Sequence, residues 1–404
     1  MSWRNVGIEY LPQVQRVYRE YSLLIETNSP SVIIQRSVAN LLLAASEFTT
    51  DTSWKIGMIA RVKRLIQNDA DQYLQIRTAR RESILSRLSG APETSKEVLE
   101  RFIEFNAFNE NNRSIERDAR WNAEVGELVL SYVRYLEQDG QLDLAKREAF
   151  KWGPLSPESP SLIEKVVARE KDFAVGRILK IQGHFEEALE LMSSALHESD
   201  VDDIGMYSWK CSILSNIAEL HTELGQCEEA QSLLTPTLAR MSLAASQNRR
   251  KGRQVQLALA ESFIRSGLND EAEKILINVS GVTEKIAKPD IVVQRTRFRT
   301  FSGLARTAHI NEKWNQCLQN WDKAKDVLTT FRDQSYCRSQ MAVVLYSIAF
   351  ALDKSGYGTE SKAHAIKGRG LLEQEELRRY WYAGLDSYWR DYIIESVHRL
   401  PLAY

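Results

Sequence analysis

Proline, cysteine and net charge are all scarce in this 404-residue chain, and each scarcity excludes something. Nine prolines occur and none lies between Pro289 and Pro401, so a long stretch is free of the residue that most strongly interrupts a helix. Four cysteines (Cys211, Cys227, Cys317, Cys337) are scattered without a CxxC pair, which argues against a disulfide scaffold or zinc ribbon. They read as reduced thiols, and the expected location is the cytoplasm, with the nucleus left open. Lys and Arg (53) balance Asp and Glu (54), leaving a net charge of -1 and no global attraction to nucleic acid or anionic membrane. The longest uncharged apolar run, Met341 to Leu352, falls short of the roughly 20 residues that span a bilayer. Met1 to Asn5 lacks the apolar core of a signal peptide. Hydrophobic residues nevertheless make up 43% of the chain, enough to build a core and to exclude global disorder.

Alternating β-branched and aromatic runs are hard to find, whereas apolar spacings of three and four recur over windows longer than ten residues. The expected class is all-α. Gly140, Gly183, Gly225 and Gly267 follow one another at intervals of 43, 42 and 42 residues, and Gly356 sits in a similar context. Around them a pattern repeats: Gly176, Leu179, Gly183, Phe185, Ala188, Met192 and Ala195, then Ala218, His221, Gly225, Cys227, Ala230, Leu234 and Thr237. A third copy reads Ala260, Phe263, Gly267, Asn269, Ala272, Leu276 and Val279. A later unit drops the turn glycine but keeps Ala305, Trp314, Trp321 and Ala324. Small residues on both helices of a pair (A, then B) permit close approach, and the glycine makes the turn between them.

These residues and spacings resemble the tetratricopeptide repeat (TPR), over about residues 125 to 372. The standard unit is about 34 residues, so this is a long-helix variant with about two extra helical turns. It is similar to kinesin-light-chain-like repeats, to stand-alone fungal TPR proteins and to immune-receptor repeat tails. The ending Arg379 to Trp389 is similar to that of the fungal group. The resemblance implies a right-handed superhelical solenoid of antiparallel helix pairs.

Three regions are expected: 1–120, degenerate helix pairs or a small bundle; 121–375, repeats with a period of about 42–45; and 376–404, an aromatic-rich capping helix. The proline-rich stretch Trp152 to Pro160 reads as an elaborated loop inside one array. In the last region Trp381, Leu385, Tyr388 and Tyr392 recur at three- and four-residue spacing, widened by Trp389, Ile393 and Val397. This stripe reads as a cap over the terminal repeat, with an aromatic binding site as the sharper alternative.

No GxxxxGK[ST], HExxH, GxSxG or strand-flanked GxGxxG occurs, and the six histidines show no metal-ligand spacing. No catalytic residue, cofactor or metal ligand is assigned, and the expectation leans away from an enzyme. The basic clusters Arg249, Arg250, Lys251, Arg253 and Arg295, Arg297, Arg299 read as solvated loops or intrarepeat ion pairs. TPR-like register places Arg134, Arg177, Lys180, Asn216, Glu219, Glu261, Arg299, Arg306, His309 and Tyr346 on the inner wall formed by helices A. Chaperone-binding TPR proteins hold a carboxylate with a Lys/Asn/Asn/Lys/Arg set, of which only Asn216 finds a match. The expected function is capture of a peptide or partner protein in the concave groove. The alternative is an enzyme or small-molecule binder of fungal-type specialised metabolism using the interior as a pocket. Self-association stays open.

Overall fold

The computed structural model describes residues 11–27, 31–46, 52–67, 71–89, 91–109, 119–197, 204–243, 248–287, 289–331, 337–373 and 384–398. Among these residues there are eighteen α-helices and no β-strand. The chain divides into two compact units, Met1–Ala174 and Val175–Tyr404, with the division inside one long helix. The first unit contains α1 (Leu11–Thr27), α2 (Val32–Ala45), α3 (Thr52–Leu65), α4 (Gln72–Leu88), α5 (Pro92–Asn109), α6 (Ala119–Asp139) and α7 (Leu142–Phe150). Helix α8 (Leu162–Gln182) crosses into the second unit. There it is followed by α9 (Phe185–His197), α10 (Ile204–Glu223), α11 (Cys227–Leu243), α12 (Arg250–Arg265) and α13 (Asn269–Thr283). Helices α14 (Ile291–Ile310), α15 (Trp314–Thr329), α16 (Arg338–Lys354), α17 (Gly358–Glu373) and α18 (Ser387–His398) complete it. Sequential helices pair, as a TPR-like array requires.

The turns carry the repeat. Gly140, Gly183, Gly225, Gly267 and Gly356 all adopt left-handed backbone, with φ between 78° and 86°. Each closes its helix with the same two bonds: the Gly225 N–H donates to the Thr222 carbonyl at 3.1 Å, and the Gln226 N–H to that of His221 at 2.7 Å. This pairing satisfies two carbonyls that helix termination orphans. The unit that lacks the glycine keeps the turn anyway: Glu312 stands at φ 54°, and Glu312 and Lys313 repeat both bonds, to His309 and Ala308. The hydrogen bonds and packing of this turn hold a side chain in a conformation that glycine adopts at less cost.

Five residues beyond each turn lie Ala145, Ala188, Ala230, Ala272, Cys317 and Ser361, all buried. Seven residues before it lie Gly176, Ala218, Ala260, Ala305 and Ala349, also buried. A Cβ on Gly176 would come within 2.8 Å of Met192 Cγ. Cys317 and Ser361 extend the small-residue series beyond the alanines, and Ser361 donates its hydroxyl to the Ala349 carbonyl at 2.7 Å. The proline-rich loop is ordered within the first unit: Trp152 is buried against Gly126 and donates Nε1–H to the Asn122 carbonyl at 2.8 Å.

At the far end, Leu385, just before α18, and Trp389, Ile393 and Val397 on α18 are buried in the same core as α14 to α17. The buried stripe therefore runs at strict four-residue spacing, while Tyr388 and Tyr392 stand exposed at its edge. Trp381 lies outside the described residues.

Three substitutions should separate turn from seam. Glu312→Gly relieves left-handed strain and is expected to stabilise by about 1 kcal/mol. Ala230→Leu overpacks a closed seam and should cost about 1–3 kcal/mol, whereas Glu229→Leu, on the exposed face, should change little. Urea denaturation of the three variants against the parent checks this; equal effects at positions 229 and 230 would mean that the helix faces are misassigned.

Candidate functional site

The residue six places before each turn faces the same side of every helix A. In order these are Arg134, Arg177, Glu219, Glu261, Arg306 and Phe350. Their charges are largely answered within the protein. In the first unit, Arg134 Nη2 donates to Glu170 Oε2 at 2.5 Å, thirteen residues before the next turn. The same geometry recurs with the signs exchanged in the second unit. There Arg299, thirteen residues before the Glu312 turn, donates to Glu261 Oε1 from Nη2 at 2.9 Å and from Nε at 3.1 Å.

Arg299 also reaches Glu219 at 2.7 Å, and the other Glu219 oxygen accepts from Lys180 Nζ at 2.6 Å. Lys180 donates as well to Asn216 Oδ1 at 2.6 Å. Five of the expected wall residues thus form one network across α8, α10, α12 and α14, with Lys180 only 2% exposed. Burial opposes ionisation of Glu219, yet Lys180 and Arg299 hold its carboxyl at about 2. Burial and the neighbouring Glu219 push Glu261 up, against the opposing pull of Arg299. Arg177 is half-buried beside this network and its charge bears on Lys180. Tyr346 is in the core, packed against Gly368.

Arg306 is the fifth member of the row, and its partner comes from outside the repeats. The residue thirteen before the next turn is Val343, which offers no charge. Instead Arg306 Nη2 donates to Asp386 Oδ2 at 2.5 Å, at the start of α18. Asp386 also caps that helix, its Oδ1 accepting from the Trp389 N–H at 2.6 Å. Gly384 makes the close approach: at φ 88°, a Cβ there would come within 2.9 Å of Arg299 Cα. Ser387 donates its N–H and hydroxyl to Glu223 Oε2 at 3.2 and 2.5 Å. Glu223 is raised to about 7, first by burial and then by the neighbouring Asp386.

Beside this anchor lies a cleft of about 700 Å³, formed by the ends of α12, α14 and α16 with α15 and α18. His309 lies in its wall, with ring centroids 4.9 Å from Phe350, 4.9 Å from Trp389, 5.2 Å from Trp314 and 5.9 Å from Tyr392. Burial, with Lys354 adding to it, holds the imidazole down at about 4, so the ring is neutral at pH 7. Its Nδ1 has no hydrogen-bond partner, while Nε2 lies 3.4 Å from the Tyr392 hydroxyl. The register could have pointed to Phe350 as the apolar end of the charged row, and to Glu223, Arg265 and Lys354, each two residues before a turn glycine; Asp386, outside the repeats, carries no such signal.

The basic clusters are structural in part. Arg297 donates to the carbonyls of Thr283 and Ile286 at 2.7 and 3.0 Å, Arg253 to that of Asn248 at 2.5 Å, and Lys251 to the Ser212 hydroxyl. Among the described residues no group of three or more His, Cys, Asp or Glu side chains converges for a metal ion. Among them, too, no helix is long and apolar enough to cross a membrane.

No protein-family model and no curated protein matches the sequence. Solved structures do. NprR in complex with its cognate peptide NprX is 14% identical, covering 81% of this chain and 84% of that one at TM-score 0.51. A Rap protein complexed with competence and sporulation factor is 11% identical over 74% and 78%, at TM-score 0.51. The TPR-like repeats of a putative kinesin light chain from Podospora anserina align with 52% of this chain and 97% of that one, 17% identical, at TM-score 0.38. The chain has the fold of a TPR-like helical repeat protein.

Two buried groups give opposite pH dependences. Glu223 is raised in the folded state, so its contribution is fully present below its unfolded value near 4.5 and lost as pH rises through about 7. His309 is depressed, so its contribution is present above about 6.5 and lost as pH falls toward 4. Glu223→Gln should therefore be more stable than the parent at pH 8, by on the order of 2 kcal/mol, and converge with it toward pH 4.5. His309→Phe should match the parent near pH 8 and exceed it progressively below pH 6.5. Denaturation at pH 4.5, 6 and 8 reads both, and parallel curves for all three proteins would rule the assignments out.

Proposed function

We propose that the chain is a helical-repeat binding protein that captures a peptide or a segment of a partner protein on the helix-A side of its second unit. The fold supports this reading, because NprR, which shares it, is solved with its cognate peptide. The observation that carries it here is the contrast between the paired charges of the wall and the cleft beside α18. Most wall charges are already neutralised by each other, so recognition falls to the aromatic cleft. A rigid surface of this kind lowers the ordering cost of an incoming segment. A second reading, a small molecule held in the cleft, is favoured by its volume of about 700 Å³, within the usual range for ligand pockets.

Selection of a random peptide library against the immobilised full chain, followed by calorimetry on the enriched peptides, tests the proposal. Enriched peptides should bind with micromolar or tighter affinity, and Tyr388→Ala should weaken them without lowering the melting temperature. Arg306→Glu is unsuited to this purpose, since it would set a third carboxylate beside Asp386 and Glu223 and unseat α18. Failure to enrich any peptide binding more tightly than about 100 μM would overturn peptide capture.

A further inference from the structure

Resting on that reading, we infer that the cleft beside α18 receives a tyrosine or tryptophan side chain of the bound segment, with an acidic neighbour of that residue held at the rim. Three observations converge on this chemistry. The walls are aromatic, with Trp314, Phe350, Trp389 and Tyr392 around His309, so the complementary body is a flat ring presenting its face or edge. The His309 side chain is 95% buried, being 5% exposed, and its Nδ1 lacks a partner. In the tautomer that carries the proton on Nε2, toward the Tyr392 hydroxyl, Nδ1 is an acceptor, matched by a phenol O–H or an indole N–H and not by a phenylalanine.

The third observation concerns charge. Five charged side chains line the cleft: Arg265, Arg306 and Lys354 against Glu312 and Asp386. Arg306 and Asp386 are bonded to each other, which leaves two cations and one carboxylate. Both cations are held over rings of the cleft, the Arg265 guanidinium 3.8 Å from the Tyr388 centroid and Lys354 Nζ 5.4 Å from that of Phe350. An incoming cation would find those ring faces taken and meet like charge. An incoming carboxylate would find two cations already positioned. The source is a peptide segment and not a free aromatic acid, because the rim is itself apolar and exposed. Tyr388 is 56%, Ile310 45% and Tyr392 38% exposed, a surface that flanking backbone covers and a single small molecule leaves wet.

The test is calorimetry of the full chain with blocked pentapeptides: Gly-Glu-Tyr-Glu-Gly, its lysine counterpart Gly-Lys-Tyr-Lys-Gly and its phenylalanine counterpart Gly-Glu-Phe-Glu-Gly, alongside free N-acetyltyrosine. The acidic tyrosine peptide should bind about tenfold more tightly than either counterpart, the worth of one charge-assisted or otherwise orphaned hydrogen bond. Lys354→Glu should erase the preference for acid over lysine. His309→Phe should erase the preference for tyrosine over phenylalanine while still binding both, with circular dichroism and melting confirming that each variant is folded. Equal binding of acidic and basic peptides, or no effect of Lys354→Glu, overturns the inference. N-acetyltyrosine binding as tightly as the peptide overturns the peptide source. If library-selected peptides bind but their affinity ignores His309 and Lys354, this site assignment falls and peptide capture stands; if no peptide binds at all, both fall.

Discussion

The close approach of paired helices at small residues is the constraint on which the second unit depends. Alanine, glycine, cysteine or serine at the seam leaves the partner helix one depth at which to sit, because interiors are packed without voids to absorb a slip. That depth sets the rotation of every helix A. Rotation in turn decides which residues share a side, so the row six places before the turn becomes a spatial series and not only a numerical one. The left-handed turn reinforces it, and Glu312 shows that the packing is strong enough to hold the conformation where glycine is absent.

A row of charges brought onto one side of adjacent helices has to be neutralised or solvated. Here it is neutralised, through Lys180, Glu219, Arg299 and Glu261, with Asn216 accepting a further hydrogen bond from Lys180. Removing one member would strand its partner in a buried place, which costs more than the pair itself contributes. The row also explains the end of the fold. Where the next repeat supplies Val343 in place of an acid, Arg306 recruits Asp386, and the same carboxylate starts α18. One side chain thus joins the electrostatics of the wall to the capping of the last helices, and the cleft forms against the junction.

The cleft differs in kind from the wall. Its rings are mutually packed, its histidine is neutral, and its two available cations rest on aromatic faces at the rim. On the proposed reading, a surface built this way discriminates by ring shape and by the sign of a neighbouring charge, whereas the paired wall offers little free charge to a partner. Charge pairing and the aromatic cleft are therefore separated along α14: Arg299 belongs to the network, Arg306 to the anchor, and His309 to the cleft.

The sequence alone determined the helical class, the repeat period and the seam alanines. Each of these follows from local rules: periodicity places residues on faces, and glycine or small side chains permit turns and close contacts. It also marked the terminal aromatic stripe, though Tyr388 and Tyr392 fell at the exposed edge and not at its centre. What only the tertiary structure decided is which charges meet. Lys180 with Glu219, Arg299 with both glutamates, and Arg306 with Asp386 are separated by 38 to 80 residues, and no periodic signal selects among the acids available to each base. The turn at Glu312, the shifted Glu223 and the orphaned Nδ1 of His309 arise the same way, from neighbours that only the folded packing of distant helices supplies.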